Sequence, residues 1–459
     1  MPALAHKLRL HDYFALAFGT MIGTGWLVLM DDWLGRGGPL GAILGFVFGG
    51  VILLPVGYVY GQWVKRLPDA AGEAAYTAQV FPHIVSYFTG WVMLLAYFIV
   101  GPWEAIALGK IAAYIFPSLD SFELYRVAGQ PVFLSRLILG IALTVFLAIV
   151  NYRGIRLSAN FQNTMTAMVL LLFLVIVGMS ASHGSSANFH PAFGAAPWVS
   201  ILLTLQIVPY FLTGFESVPK YAEEANPNLQ EKSYMHAIAL ALGVGVFFYA
   251  LCIAAVAYAA PWQSLLGRRF ATAIAFEQAL GARWPVQLIL AMAMFGLFQC
   301  FNGNFVASSR LLFAFSRNGS VSPRLARIHP RFQTPSTAVL AVSGGTLAAL
   351  FLGDAILVPV TEVGSAASAF GWLATCVSFF LVVSRLGSGA TSKADFGNRT
   401  WLCLVATLGA LASLILVLIK FVPIFPGHFS TWEWLALGIW LALGAILHRR
   451  SRPAPTRTR

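Results

Sequence analysis

Charge is what this sequence has least of. Asp, Glu, Lys and Arg together make up 10% of 459 residues, where a soluble domain carries roughly 25%. A water-soluble fold of this length could not cover its surface with so few charges. Cysteine is scarce as well. Cys252, Cys300, Cys376 and Cys403 all fall inside apolar runs, which leaves no loop pair for a disulfide and no metal-ligand spacing. The chain has no Gly-Lys-Ser/Thr phosphate loop, no Gly-x-Ser-x-Gly elbow and no His-rich cluster, so the common enzyme signatures are missing. Neither a metal nor a cofactor is expected, and the protein reads as a non-enzyme.

What is present is apolar. Hydrophobic residues reach 58%, and Phe alone occurs 36 times. The formal charge of +12 has the sign that nucleic acid attracts, but the basic residues lie in short clusters between long apolar runs, as membrane topology requires. No nucleic-acid partner is expected. The first apolar run is too long and too glycine-rich for a cleaved signal peptide. An all-α polytopic membrane protein follows.

A spanning helix takes about 20 mostly apolar residues. By that measure the chain predicts spans over 12–34, 39–64, 86–116, 133–151, 160–182, 198–221, 234–260, 284–315, 336–353, 356–384, 401–424 and 431–448. With the loops assigned to alternate sides, Lys and Arg divide 21 to 6 in favour of the side that holds both termini, while Lys110 and Lys420 fall inside spans. The basic side is cytoplasmic by the positive-inside rule. Both termini are therefore expected in the cytoplasm of a cell that keeps the protein in its plasma or inner membrane, with 449–459 as a basic tail.

Two spans carry helix breakers at membrane depth. The first reads "AFGTMIGTGWLVL", with Gly19, Gly23 and Gly25 near its middle; the sixth reads "QIVPYFLTGFESVPKYAEE", with Pro209 and Gly214 ahead of Glu216. Glycine and proline weaken helix interiors, and unwound backbone in a membrane survives only where it is buried in protein or lines a cavity. Two interrupted spans in corresponding positions of two halves point to a transporter's binding site. The spacing fits two five-helix repeats, 12–182 and 198–386, followed by two further helices over 400–448. Broken ends expose N–H groups that suit a carboxylate and carbonyls that suit an ammonium group. The alternative is close packing of helices through small residues.

Four stretches carry a family resemblance. "GTMIGTGW" (19–26), "RLPDAAGEAAY" (66–76), "FLTGFESVPKYAEEANPN" (211–228) and "SRLLFAFSRNGSVSPRLARIHPRFQTP" (309–335) resemble, in order, motifs of the amino acid–polyamine–organocation (APC) transporter superfamily, with Trp26 where Phe is more usual. The resemblance implies a LeuT-like fold with helices 1 and 6 broken. It implies that a substrate carboxylate rests on the backbone amides of Ile22, Gly23, Thr24, Gly25 and Trp26. The ammonium group then meets carbonyls near Tyr210, Phe211 and Thr213, ahead of Gly214 and Phe215. Tyr210 falls where arginine-exchanging relatives carry an aromatic lid, and span 8 contributes Cys300 and Asn304.

Intramembrane carboxylates are costly and usually functional. Glu216 beside the second break and Glu104 in "VGPWEAIALGK" are candidates for conformational coupling or proton transfer. Glu216 could instead cap the broken helix, and a direct Glu104–Lys110 pair is disfavoured because positions six apart do not share a helix face. Val169 stands where some proton-coupled relatives have a lysine, and Gly303 and Asn304 stand where sodium-coupled ones have hydroxyls. Both cation devices are thus absent, which favours exchange, facilitated uptake or a proton route through Glu104 or Glu216. A cytoplasmic gate would pair Arg310 or Arg317 with Glu223 or Glu224.

The expected partners are a small amino acid or amine, protons and membrane lipid. Residues 117–132 hold no cysteine, so no disulfide-linked heavy subunit is expected. A lining of Trp26, Tyr210, Phe211 and Phe215 tilts the substrate toward a neutral amino acid. An amine, a polyamine or an amino alcohol such as ethanolamine is the alternative, as is an amino acid sensor without transport.

Overall fold

The computed structural model describes residues 4–230, 232–385, 398–425 and 428–449. Most of the predicted basic tail and the loop over 386–397 lie outside the described residues.

Apolar runs longer than a bilayer core become long helices because each backbone N–H then bonds within its own segment. In chain order the first part consists of α1 (Leu10–Met21), α2 (Gly25–Val28), α3 (Met30–Arg66), α4 (Glu73–Thr77), α5 (His83–Phe98) and α6 (Val100–Ile115). A short antiparallel hairpin follows, β1 (Glu123–Val127) and β2 (Gln130–Phe133). Then come α7 (Leu134–Arg153), α8 (Ile155–His183), α9 (Pro197–Leu205) and α10 (Val208–Leu212). A 3₁₀ stretch over Phe215–Glu224 leads to α11 (Lys232–Ala259), α12 (Ala271–Leu280), α13 (Trp284–Arg317), α14 (Ser336–Leu350) and α15 (Leu357–Arg385). The last two helices are α16 (Arg399–Phe421) and α17 (Thr431–Arg449).

Among the described residues, nine helical segments are long and apolar enough to cross a membrane, and ten if the bent pair over 197–224 counts as one. The chain is a multi-pass all-α membrane protein. Of the twelve predicted spans, 12–34 and 336–353 are not among those ten. The first is interrupted between Met21 and Gly25, and the other is a helix of 15 residues.

Two boundaries also differ from expectation. Helix continues from Met30 to Arg66 through a kink at Gly38, whose φ of 60° precedes Pro39, so the gap predicted at 35–38 is a bend. The predicted third span runs through a break at Ile99 between α5 and α6, just before Pro102, whose ring and missing N–H disturb the preceding turn.

Contacts gather both described ends of the chain at one end of the array. The Lys7 and Leu8 amides donate to the Glu224 carbonyl at 2.9 and 3.0 Å. His448 Nδ1 lies 3.2 Å from the Ser320 carbonyl, and the Ser320 hydroxyl lies 3.1 Å from His83 Nε2. The hairpin occupies the opposite end, where the Tyr125 hydroxyl donates to the Phe351 carbonyl at 2.7 Å.

Candidate functional site

The two breaks meet because one residue has no side chain. Gly214, at φ 145°, approaches the end of α1 so closely that a Cβ would lie 2.8 Å from the Met21 nitrogen and 3.0 Å from the Ala17 carbonyl oxygen. Helix ends at Met21 and resumes at Gly25; on the other side it ends at Leu212 and resumes as 3₁₀ structure at Phe215.

A narrow cavity lies between them. Gly23 and Gly25 of the first break line it, with Tyr210, Phe211 and Thr213 of the second, Cys300 and Asn304 of α13, and Glu104 of α6. Water-sized centres fit over only about 20 Å³, little more than one water needs. The cavity must therefore widen before any solute of amino acid size enters.

Glu104 is the one acidic residue among the described residues of this wall, and it is 3% exposed. One carboxylate oxygen accepts the Thr24 amide at 3.3 Å and the other accepts the Thr24 hydroxyl at 2.8 Å. A Cβ on Gly23 would strike this carboxylate and the Cys300 sulfur. Lys110 plays no part; its ammonium lies 3.7 Å from Asp354, toward the hairpin end. Asn304 donates through Nδ2 to the carbonyls of Thr20 and Cys300 at 3.1 and 2.9 Å. These two acceptors fix which way the amide faces, and Oδ1 is left buried without a partner.

Other expected residues stand off this wall. Ile22 and Trp26 are fully buried, and the Trp26 ring packs edge-on to Phe248. Phe215 packs on Trp372 and Tyr60, because the 3₁₀ stretch turns it away. Thr24 acts through Glu104. Glu216 accepts the Gly214 amide at 2.9 Å, capping the break, while its second oxygen has no hydrogen-bond partner.

The structure adds Trp103, Tyr249 and Ser368 to the lining. The Tyr249 hydroxyl donates to the Met21 carbonyl at 2.7 Å, at the ragged end of α1. Thr213 and Ser368 share a hydroxyl contact of 2.7 Å. Only Trp103 had a signal in the sequence, as the neighbour of Glu104; Tyr249 and Ser368 lie in unbroken runs without one.

Behind the first break, neutral amides fill the space between α1, α8 and α13. Gln299 donates to the Ile22 carbonyl at 2.9 Å, and Gln162 donates to the carbonyls of Ala15 and Gln299 at 3.2 and 3.1 Å. Thr166 donates to the Gln299 side chain at 2.9 Å. Val169 is fully buried.

The two sides of the cavity differ. Toward the end that holds Leu8, Arg310 grips Glu224 through two bonds of 3.0 and 3.2 Å, both side chains wholly buried. Lys220 reaches Glu73 at 2.5 Å, equally buried. Arg317 makes two bonds to Glu223, of 2.5 and 2.7 Å, and lies 3.3 Å from Asp69. Burial raises the Asp69 carboxyl above its ordinary range, opposed by the Ala71 amide and by Arg317. Toward the hairpin end a vestibule of about 520 Å³ opens. Trp103 and Phe211 line both it and the cavity, so these two side chains stand between them.

Two broken helices facing one narrow cavity, within a multi-pass array that carries wholly buried ion pairs at the end away from the vestibule, define a membrane carrier. The chain belongs to the amino acid permease family, whose model matches residues 8–446. It is a transporter of that family and not an enzyme. A methylthioribose transporter of Bacillus subtilis (strain 168) is 23% identical over 97% of this chain and 93% of its own length. A branched-chain amino acid permease of the same organism is 25% identical over 78% of this chain and 76% of its own. The human Asc-type amino acid transporter 1 is 25% identical over 77% and 67%.

Proposed function

We propose that the protein is a secondary transporter working by alternating access in the plasma or inner membrane, for a small ammonium-bearing solute with a neutral side chain. A neutral amino acid is the first class to test, and the corresponding amine or amino alcohol the second. In this reading twelve spans form two inverted five-helix repeats plus two helices, and both termini are cytoplasmic. The vestibule then faces outward, and the Arg310–Glu224, Lys220–Glu73 and Arg317–Glu223 pairs form the closed inner gate. Solute passes Trp103 and Phe211 and binds between the breaks. A proton taken up at Glu104 or Glu216, or counter-exchange of a second solute, supplies the driving force.

The observation that carries the reading is the shared cavity, reached by both breaks and separated from an open vestibule by two aromatic side chains. Its lining of Trp103, Tyr210, Phe211 and Tyr249 favours an uncharged side chain, since apolar walls bind apolar surface. The test is counterflow in proteoliposomes preloaded with unlabelled amino acids and amines. Accumulation of one or a few external labels supports the reading. A correctly folded protein that accumulates none of them refutes it.

A further inference from the structure

The resemblance put the solute's carboxylate on the amides of the first break. In the structure a carboxylate of the protein's own is there. Glu104 takes the Thr24 amide and hydroxyl and the Phe18 carbonyl takes the Ile22 amide, so a solute carboxylate would have to displace Glu104 to use the Thr24 amide. We infer that Glu104 and Asn304 form the solute's ammonium site, and that the protein recognises a primary amine by its cationic head without requiring a carboxylate. The inference rests on the transport reading above.

Three observations support it. First, Glu104 is almost wholly buried, and its polar neighbours are Thr24 and Cys300, with no lysine or arginine among the described residues in contact. A buried carboxylate that accepts two hydrogen bonds still lacks a counter-charge, which either a proton or a cation can supply. A solute ammonium arriving in the cavity supplies one. Second, Asn304 Oδ1 lacks a partner although the residue is 1% exposed and lines the same cavity. An ammonium has three donors, and this acceptor is otherwise unused. Third, the rest of the wall offers aromatic faces, including Trp103, Tyr210 and Phe211, and no basic side chain. Such a wall attracts a cation and offers a carboxylate no charged partner.

At the second break one backbone acceptor is already in use. The Pro209 carbonyl accepts both the amide and the hydroxyl of Thr213, at 3.0 and 2.6 Å.

The test compares matched pairs on the purified full-length protein: leucine with isopentylamine, phenylalanine with phenethylamine, serine with ethanolamine. Binding is read as a ligand-induced rise in unfolding temperature and transport as counterflow. In at least one pair the amine is expected to bind within about threefold of the amino acid or better, since the charge-assisted contact to the head dominates. Glu104→Gln keeps acceptor and donor atoms for Thr24 and so keeps the fold, yet is expected to weaken amine binding by roughly thirtyfold, the size of a charged hydrogen bond. Amines that bind at least about a hundredfold more weakly than their amino acids would overturn the inference and leave the transport reading intact. Undiminished amine binding by a folded Glu104→Gln protein would also overturn it. Failure of every member of every pair, in binding and in counterflow, would overturn both.

Discussion

Gly25 faces Phe211 so closely that a single added Cβ would run into the ring. Gly25→Ala should therefore push Phe211 into the cavity and weaken solute binding by about tenfold or more, the consequence of 1–3 kcal/mol of overpacking. The protein should remain folded, because Phe211 borders the vestibule as well as the cavity and has room there to give way. Ligand-induced thermal shift beside size-exclusion chromatography checks both parts, and unchanged affinity would take the first break out of the site. Glu216 has a different task in the structure. Its carboxylate holds the Gly214 amide, so Glu216→Ala should lower stability by about 1–3 kcal/mol by stranding that donor. Glu216→Gln retains an acceptor and should slow net transport more than it weakens binding; equal losses would make Glu216 a plain binding residue. At this scale part of the candidate cavity's lining was legible. Gly23, Gly25, Glu104, Tyr210, Phe211, Thr213, Cys300 and Asn304 were named from the sequence and share one wall. Tyr249 and Ser368 were not, because a residue inside an unbroken apolar run gives no sign of which way its helix is turned.

The elements that matter most are those that stop short. The 3₁₀ stretch over Phe215–Glu224 carries Lys220, Glu223 and Glu224 into contact with Glu73, Arg317 and Arg310. A sequence can place acidic and basic residues on one side of a membrane, but the partner of each depends on how that stretch leaves the break. The Arg310–Glu224 pair is wholly buried, so removing one member leaves an unpaired charge in a dry site. Arg310→Met should destabilise the closed state by about 3–5 kcal/mol, while Arg310→Met combined with Glu224→Met should recover most of that loss. Thermal unfolding of the two variants in the same detergent decides this. A double variant no more stable than the single one would show that the pair does not act as a unit.

Across the whole molecule, the vestibule and the ion-paired end make the two sides unequal. With cysteine placed in a background lacking Cys252, Cys300, Cys376 and Cys403, Leu29→Cys on the vestibule wall should react quickly with a membrane-impermeant thiol reagent. Ser308→Cys, at a buried position two residues before Arg310, should react at least about a hundredfold more slowly, as buried positions exposed only by sub-global opening do. Labelling of Leu29→Cys from outside intact cells would also fix the orientation. Protection of that position, with rapid labelling of Ser308→Cys, would reverse the assignment of open and closed ends.

The sequence alone determined the class of the protein, because backbone satisfaction in a bilayer leaves a chain this apolar only helices to form. It also located both breaks, since Gly23, Gly25, Pro209 and Gly214 disturb a helix wherever it sits. Only the tertiary structure decided what the breaks meet. Whether Glu104 lies free or on the Thr24 amide, and whether Glu216 faces a solute or caps its own helix, depends on the rotation and approach of neighbouring helices. Those are set by packing over the whole array, where a close contact such as that of Gly214 with Met21 involves residues nearly two hundred positions apart, and local pattern carries no information at that range.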